Sequence, residues 1–545
     1  MKSFLLILLS CVVVISANAQ RTFDSTRTVI ITSAYKPVVR PASKINFSAA
    51  TPAVDTTRPR LTYNVPAQNL FFSYQPATLK PLALSADTSI EWENQNFVKL
   101  GVGNYRTPLF QAGVSLGDGT NSMINIHTKH ISQRGQLPFQ QYSHSTADVM
   151  GIFTNPAGNN EVRGNIGFDK FTTYQYGYQP DTLVFNKDQL RNSFTGFNAS
   201  TGIRNKTANQ YGINYNPSLA VHLFQDNNKG KESTLVLNAP VSKTIGELLT
   251  INMGVTADLT NFRRFNGNKI NNNLFYLSPS LQFGKGNINV KGGFIPSWDN
   301  KEFHLLPDFT VLVKMADERF VLQGGWMGYY QKNTYRTLAA FNPWISQPEQ
   351  LLNTRMKEQF AGFKGSAGSH FTYNARVSYL SFANAALLTN DNIDGRSFMT
   401  LYEPNMKALR LHGEIGYTVQ EKFSLLAGTT ISQFSGLEQN EKAWGLLPLE
   451  VTGALRWQVL KDLHFKADVF AWDGARYRNK SGSSQKSKAA IDLNTGFEFT
   501  VMPRLNLWVQ FNNVLNNRYE RWNQYQVLGF NVLGGIVYSF SQTGK

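Results

Sequence analysis

Four groups of residues have types and spacings that invite chemistry. His127 and His130 read as an H-x-x-H metal pair, but on a strand residues three apart face opposite sides and cannot share an ion. Asn390-Asp391-Asn392-Ile393-Asp394-Gly395 resembles the start of a calcium loop. It has Asn at the first ligand position and Leu401 where a bidentate Glu belongs, so it reads as a polar loop. His144-Ser145 and the His412/Glu414 pair suggest a hydrolase, yet no nucleophile elbow accompanies them and nothing sets a Ser, a base and an orienting group together. A polar lining explains them, and no catalytic, metal or cofactor site is expected. The fourth group is aromatic: Tyr335, Phe341 and Trp344 in one long connection, Tyr519, Trp522 and Tyr525 in another. Such rings can stack on sugars or grip apolar ligands, so Tyr335, Trp344, Tyr519, Trp522 and Tyr525 are the candidate ligand-binding residues. The competing reading is an aromatic girdle at a membrane interface.

The elements that must position these residues are strands. From Phe97 onward apolar and polar side chains alternate with period two, the pattern of a strand with a different solvent on each face. In the final strand Phe530, Val532, Ile536, Tyr538 and Phe540 share one face, and Asn531, Leu533, Gly535, Val537 and Ser539 share the other. In 405–418, Leu409, Leu411, Ile415 and Tyr417 oppose Arg410, His412 and Glu414. In 462–474, Leu463, Phe465, Ala467, Val469 and Ala471 oppose His464, Lys466, Asp468 and Trp472. About twenty-two such strands fit between 97 and 540, the 208–224 stretch being one bent strand or two. Connections after even-numbered strands are tight, as at Gly284-Lys285-Gly286 and Lys461-Asp462. Those after odd-numbered strands are mostly long: about 173–191, 260–272, 333–354, 383–404, 435–447, 475–487 and 515–527. Loops sorted by parity predict an all-β fold: a transmembrane antiparallel β-barrel of about 22 strands, with short periplasmic turns and long extracellular loops.

The rest of the 545-residue chain agrees. Lys2, an apolar run from Phe4 to Ser16 and Ala17-Asn18-Ala19 predict a signal peptide over 1–19, cleaved between Ala19 and Gln20. Lipidation at Cys11 is the alternative. Cys11 is the only cysteine, so cleavage leaves neither a disulfide framework nor a thiolate metal site. No later run of about 18 apolar residues offers a membrane helix. Residues 20–96 carry seven of the 21 prolines, which favours extended chain over helix or ladder strand. Their apolar patches Leu70-Phe71-Phe72-Ser73-Tyr74 and 79–84 suit docking in the lumen or on a periplasmic partner. The net charge of +17 attracts anionic headgroups, lipopolysaccharide or acidic ligands; its scatter and the lack of a groove-binding motif argue against nucleic acid.

Phe511-Asn512-Asn513-Val514-Leu515-Asn516-Asn517-Arg518-Tyr519, Tyr525, Gly529 and the ending Gly534-Gly535-Ile536-Val537-Tyr538-Ser539-Phe540 resemble the last hairpin of TonB-dependent outer-membrane receptors. The resemblance implies a 22-stranded outer-membrane barrel acting in transport or ligand reception. It also implies a terminal aromatic read by the barrel-assembly machinery, here Phe540, followed by the tail 541–545. Family receptors hold a folded plug of well over one hundred residues, whereas 20–96 is shorter and rich in proline. The chain therefore looks most like the plugless members. Thr28 to Ala34 resembles the short box that binds TonB by strand addition. TonB, or a periplasmic or surface protein, is the partner this implies. The alternative function is a non-transporting structural or assembly subunit of an outer-membrane complex.

Overall fold

The computed structural model describes residues 95–118, 121–155, 159–315, 319–420 and 422–541. The leader with its Ala19–Gln20 cleavage site, the Thr28–Ala34 box, residues 20–94 and the tail 542–545 lie outside the described residues.

The described residues form one closed antiparallel barrel of 22 strands. Each strand pairs with the next in sequence. The first, Gln95–Gly103, pairs both with Thr107–Gly117 and with the last, Asn531–Ser541, which closes the ring. Two strands are broken by proline, which has no N–H to give the ladder. Ile213–Tyr215 and Ser218–Asp226 flank Pro217, and Lys269–Leu277 and Ser280–Lys285 flank Pro279. Pairing resumes in the same register beyond each break, so the stretch expected over 208–224 is one bent strand, which begins at Ile213 and ends at Asp226.

The outward faces are apolar. Leu409, Leu411, Ile415 and Tyr417 are 40–47% exposed, as are Ile536 and Tyr538 at 40% and 48%. On the opposite face of the same strands Ala408, Leu533 and Val537 are buried. The lumen carries the charges, matched in pairs: Lys291 to Asp308 at 2.6 Å, Arg456 to Asp468 at 2.8 Å and Arg376 to Glu358 at 2.5 Å. Charges on the lipid face at mid-membrane would cost about 2–4 kcal/mol for Arg or Lys, so this segregation follows from a wall between lipid and water.

Glu358 makes one of these pairs testable. It is 2% exposed and also accepts from Ser378 Oγ at 2.8 Å. Glu358→Ala removes the carboxylate that neutralises Arg376, whose guanidinium lies over Phe360 at 3.6 Å. The expected cost is about 3–5 kcal/mol, read as a lower urea midpoint of the barrel in lipid vesicles. An unchanged midpoint would refute it.

Two loop expectations are corrected. The connection expected over 383–404 is only 391–397, because Phe371–Asn390 and Phe398–Val419 run on as one long hairpin. Its upper part folds inward, and Ala385, Leu387, Leu388, Thr389 and Asn390 are all buried. With neither face in solvent the period-two signal vanishes. The connection expected over 260–272 shrinks likewise, since strands reach Arg263 and restart at Lys269. The long connections 175–190, 332–353, 436–448, 473–489 and 513–530 keep to one rim, where short turns such as 227–230 and 300–301 lie among them, and the rim where Gln95 meets Ser541 carries only short connections among the described residues.

Candidate functional site

Two of the long connections do not stand up from the barrel. Residues 332–353 and 519–529 fold into its mouth, whereas 179–189 and 476–489 stay largely exposed. Lys332 is anchored inside the lumen, its Nζ 3.3 Å from the Asp258 carboxylate and donating to Asn272 O at 2.5 Å. Thr334 then caps a short helix, Tyr335–Phe341, by accepting from Thr337 N at 3.1 Å. The start of that helix rests on the wall. Glu232, near the rim end of Lys231–Ile245, accepts from Tyr335 N at 2.5 Å and from Arg336 N at 3.3 Å. Those two N–H groups have no partner within the helix, so the carboxylate satisfies them and sits favourably at the positive end of the helix dipole. Asp226, across the turn 227–230, accepts from Tyr335 Oη at 2.7 Å and from Gln347 Nε2 at 2.8 Å. Burial raises the Tyr335 phenol well above its usual value, and the Asp226 charge adds to the rise, so Tyr335 donates at every physiological pH.

Around this polar latch lies an apolar layer. Tyr335 packs against Phe262, Phe224 and Phe194 of the wall with ring centroids 5.0, 5.4 and 6.1 Å away. Trp344 stacks on Tyr525 at 3.8 Å, and its Nε1 donates to Tyr174 O at 3.0 Å. Trp522 meets Phe341 at 5.1 Å and Phe398, from the inward hairpin, at 5.5 Å. Tyr519 belongs to a second cluster with Trp472, 4.7 Å away and edge-on, and donates to Asp492 at 2.6 Å. Each buried ring contributes roughly 1.5–3 kcal/mol by leaving water.

The structure thus brings Tyr335, Trp344, Trp522 and Tyr525 together, and sets Tyr519 apart. All five are buried, at 1–5% exposure, Trp344 and Tyr525 against each other and the other three against neighbouring rings of the wall and loops. The residues missed from sequence are Glu232 and Asp226, and the wall aromatics Phe194, Phe224 and Phe262. A signal for the last three exists: they occupy lumen-facing positions, where the pattern calls for polar side chains, and all lie near the long-loop rim.

The other constellations resolve as spacing requires. His127 faces inward, its Nε2 3.0 Å from Gln111 Nε2, while His130 faces outward with Nδ1 2.7 Å from Ser145 Oγ. His144 points into the lumen, 2.6 Å from Asp169, away from Ser145. His412 lies 3.3 Å from Glu414 and 2.9 Å from Thr430 Oγ1. In the calcium-like loop the Asp391 carboxylate is used internally, accepting from the N–H groups of Ile393, Asp394, Gly395 and Ser397. Burial opposes its charge, but these donors outweigh that and hold the carboxyl below its usual value.

A closed barrel of 22 antiparallel strands, apolar outside and polar within, with long connections at one rim, defines the class: an outer-membrane-type β-barrel. No family model and no curated protein matches the sequence. Solved structures do share the fold. The FrpB iron transporter from Neisseria meningitidis (F3-3 variant) superposes with a TM-score of 0.65 at 12% identity over 82% of each chain. The siderophore receptor PirA from Acinetobacter baumannii gives 0.63 at 10% identity, over 83% of this chain and 81% of that one. The ferripyoverdine receptor of the outer membrane of Pseudomonas aeruginosa gives 0.61 at 11% identity, over 82% and 72%. The expected likeness to TonB-dependent receptors therefore holds as a likeness of barrel fold.

Proposed function

We propose that the chain is an outer-membrane transport or reception barrel whose extracellular mouth is closed by its own loops. The observation that carries this reading is the latch. The 335–341 helix is held to the wall by hydrogen bonds to two carboxylates and by ring packing, contacts that can part and re-form without disturbing the strands. A barrel serving only as a scaffold has no need of a releasable closure. On opening, Tyr335, Trp344, Tyr519, Trp522 and Tyr525 are the residues that turn to an incoming ligand. Residues 20–94, carrying the TonB-like box, act from the periplasmic side, in the lumen or against TonB or another partner. Lipopolysaccharide surrounds the barrel, and the assembly machinery reads its C-terminal strand. No step of this function is catalytic.

The test is uptake. A strain lacking the chain, with and without the restored protein, is offered a panel of labelled ferric chelates, since the similar solved structures include an iron transporter and siderophore receptors. The expected result is saturable accumulation of at least one chelate that is lost on deletion and returns with the chain. Accumulation independent of the chain across the panel would refute uptake of this solute class and move the assembly-subunit function ahead.

A further inference from the structure

Near the long-loop rim one ladder of the wall stops short. Phe423–Ser435 and Leu449–Leu460 pair as far as Ile431↔Leu449, and one further bond runs from Ser432 N to Pro448 O at 2.7 Å. Gln433 to Ser435 continue upward, paired to Phe398–Val419 on their other side. In an antiparallel sheet successive residues bond alternately to one neighbour and to the other. Ser432 bonds toward Leu449–Leu460, so Phe434, two residues on, turns its N–H and C=O the same way. The residue that would face it in this register, Leu446, has left the strand, and its N–H bonds back to Ala443 O at 3.3 Å. Among the described residues no backbone bond closes that rung.

A cleft of about 810 Å³ lies beside this open rung. Phe434, Leu437 and Leu446 give it an apolar side, and all three pack on the buried cluster of Met356, Leu380 and Met406, which fixes the edge in place. Its charged lining is nearly balanced. Lys486 is held by Asp473 at 2.6 Å and Lys442 by Glu441 at 3.5 Å. Arg476 is exposed and has no ion-pair partner among the described residues.

We propose that this cleft binds an extended segment of a second protein at the cell surface, which adds as a short strand beside Phe434. The open rung supplies one donor and one acceptor to the backbone of that segment. An apolar side chain of the segment packs on Phe434 and Leu446, and a carboxylate meets Arg476. A polypeptide is the class that brings backbone donors and acceptors, an apolar side chain and a carboxylate together. A polyanion has little to hold in a lining whose other charges are matched, and an acyl chain leaves the rung unbonded. The occupant is not the chain's own segment 20–94, which joins the barrel at the opposite rim, where Gln95 meets Ser541. The cleft lies in the wall, apart from the mouth latch, so the inference stands independently of the transport reading.

The test is fluorescence anisotropy with the full chain in detergent micelles, read against empty micelles. The probe is a pool of labelled heptapeptides that alternate Thr with Val, Leu, Ile or Phe and carry one Asp. Two companion pools have alternate amides N-methylated, or Asn in place of Asp. The wild type is expected to bind the first pool saturably. N-methylation weakens binding about fivefold or more, as loss of backbone bonds requires. Asn for Asp, and Arg476→Gln with the first pool, each weaken it about tenfold. Phe434→Pro removes the open N–H and leaves the bonds to Phe398–Val419 in place. Phe434→Ala loses the same ring and keeps the N–H, so the proline variant should bind about fivefold more weakly than the alanine one. The heat-dependent gel shift of a folded barrel accompanies each sample. The N-methylated pool needs only the wild type, so a variant that fails to fold leaves the outcome decided. Binding no better than to empty micelles, equal binding of the N-methylated pool, or Phe434→Pro equal to Phe434→Ala overturns strand addition. Full displacement of the peptides by an equal concentration of phosphatidylglycerol assigns the cleft to lipid and overturns it as well.

Discussion

Glu232→Ala is expected to open the mouth of the barrel. In the closed structure its two carboxylate oxygens accept from the first two N–H groups of the 335–341 helix. Glu232 is 4% exposed, and Tyr335 above it is 2% exposed. Truncation removes two charge-assisted hydrogen bonds, about 1.5–3 kcal/mol each, and leaves two buried donors unsatisfied. The strands keep their ladders, so the lost energy falls on the loop alone. A loss of roughly 3 kcal/mol raises the open fraction about a hundredfold. Glu232→Ala/Asp226→Ala goes further, since it also frees Tyr335 Oη and Gln347 Nε2. The readout exploits cysteine usage: Cys11 is the only cysteine, and it lies in the predicted leader. Ala339→Cys places a thiol in the buried cluster, at a position 4% exposed. A membrane-impermeant maleimide applied to whole cells then labels it slowly in the otherwise wild-type chain and about a hundredfold faster with Glu232→Ala. This measurement reports the loop directly, whatever occupies the lumen beneath. Equal labelling rates would show that Glu232 does not hold the mouth shut.

The same contacts explain what could and could not be read from sequence. Strand positions and facings were legible because the wall separates two solvents. Each strand must alternate or expose charge to lipid, and Leu409–Arg410–Leu411–His412 does so residue by residue. All twenty-two expected strands have a counterpart, and errors concentrate where the two-solvent rule lapses. The 385–390 stretch is buried on both sides, so it looked like a loop. The loop aromatics were visible, but their depth was not. A polar connection carrying Tyr335 and Trp344 reads the same whether it stands in water or turns into a mouth. What decides is the wall it meets, the carboxylates of Glu232 and Asp226 and the rings of Phe194, Phe224 and Phe262, which are distant in sequence and met only once the barrel has closed.

Closure itself depends on two glycines, and Gly535→Ala is expected to prevent it. The seam is the pairing of Gln95–Gly103 with Asn531–Ser541, in which Gly101 stands opposite Gly535. On the lumen side Trp508, 5% exposed, lies across both. Its Nε1 donates to Leu100 O at 3.2 Å, and Lys99 Nζ sits 4.0 Å from its ring centroid. A Cβ on Gly535 would fall 1.9 Å from Leu100 O and 2.7 Å from Gly101 Cα, both backbone atoms of the first strand. No side-chain rotation relieves that clash; the first strand has to move, and the seam ladder with it. Overpacking of this kind costs about 3 kcal/mol or more, concentrated where the ring is joined. Gly101→Ala is the graded comparison: its Cβ would meet Trp508 ring atoms at 2.3 and 2.8 Å, and a ring can tilt at the cost of its bond to Leu100 O. Gly164→Ala is the benign one, with its nearest neighbour, Ser200 O, at 3.8 Å. Refolded into lipid vesicles, the three should rank in that order of lost heat-modifiable band and lowered urea midpoint, with Gly164→Ala matching the wild type. A Gly535→Ala chain that closes with the wild-type midpoint would show that the strands at the seam can part to admit a methyl group. The Trp508 clamp would then be dispensable for closing the barrel.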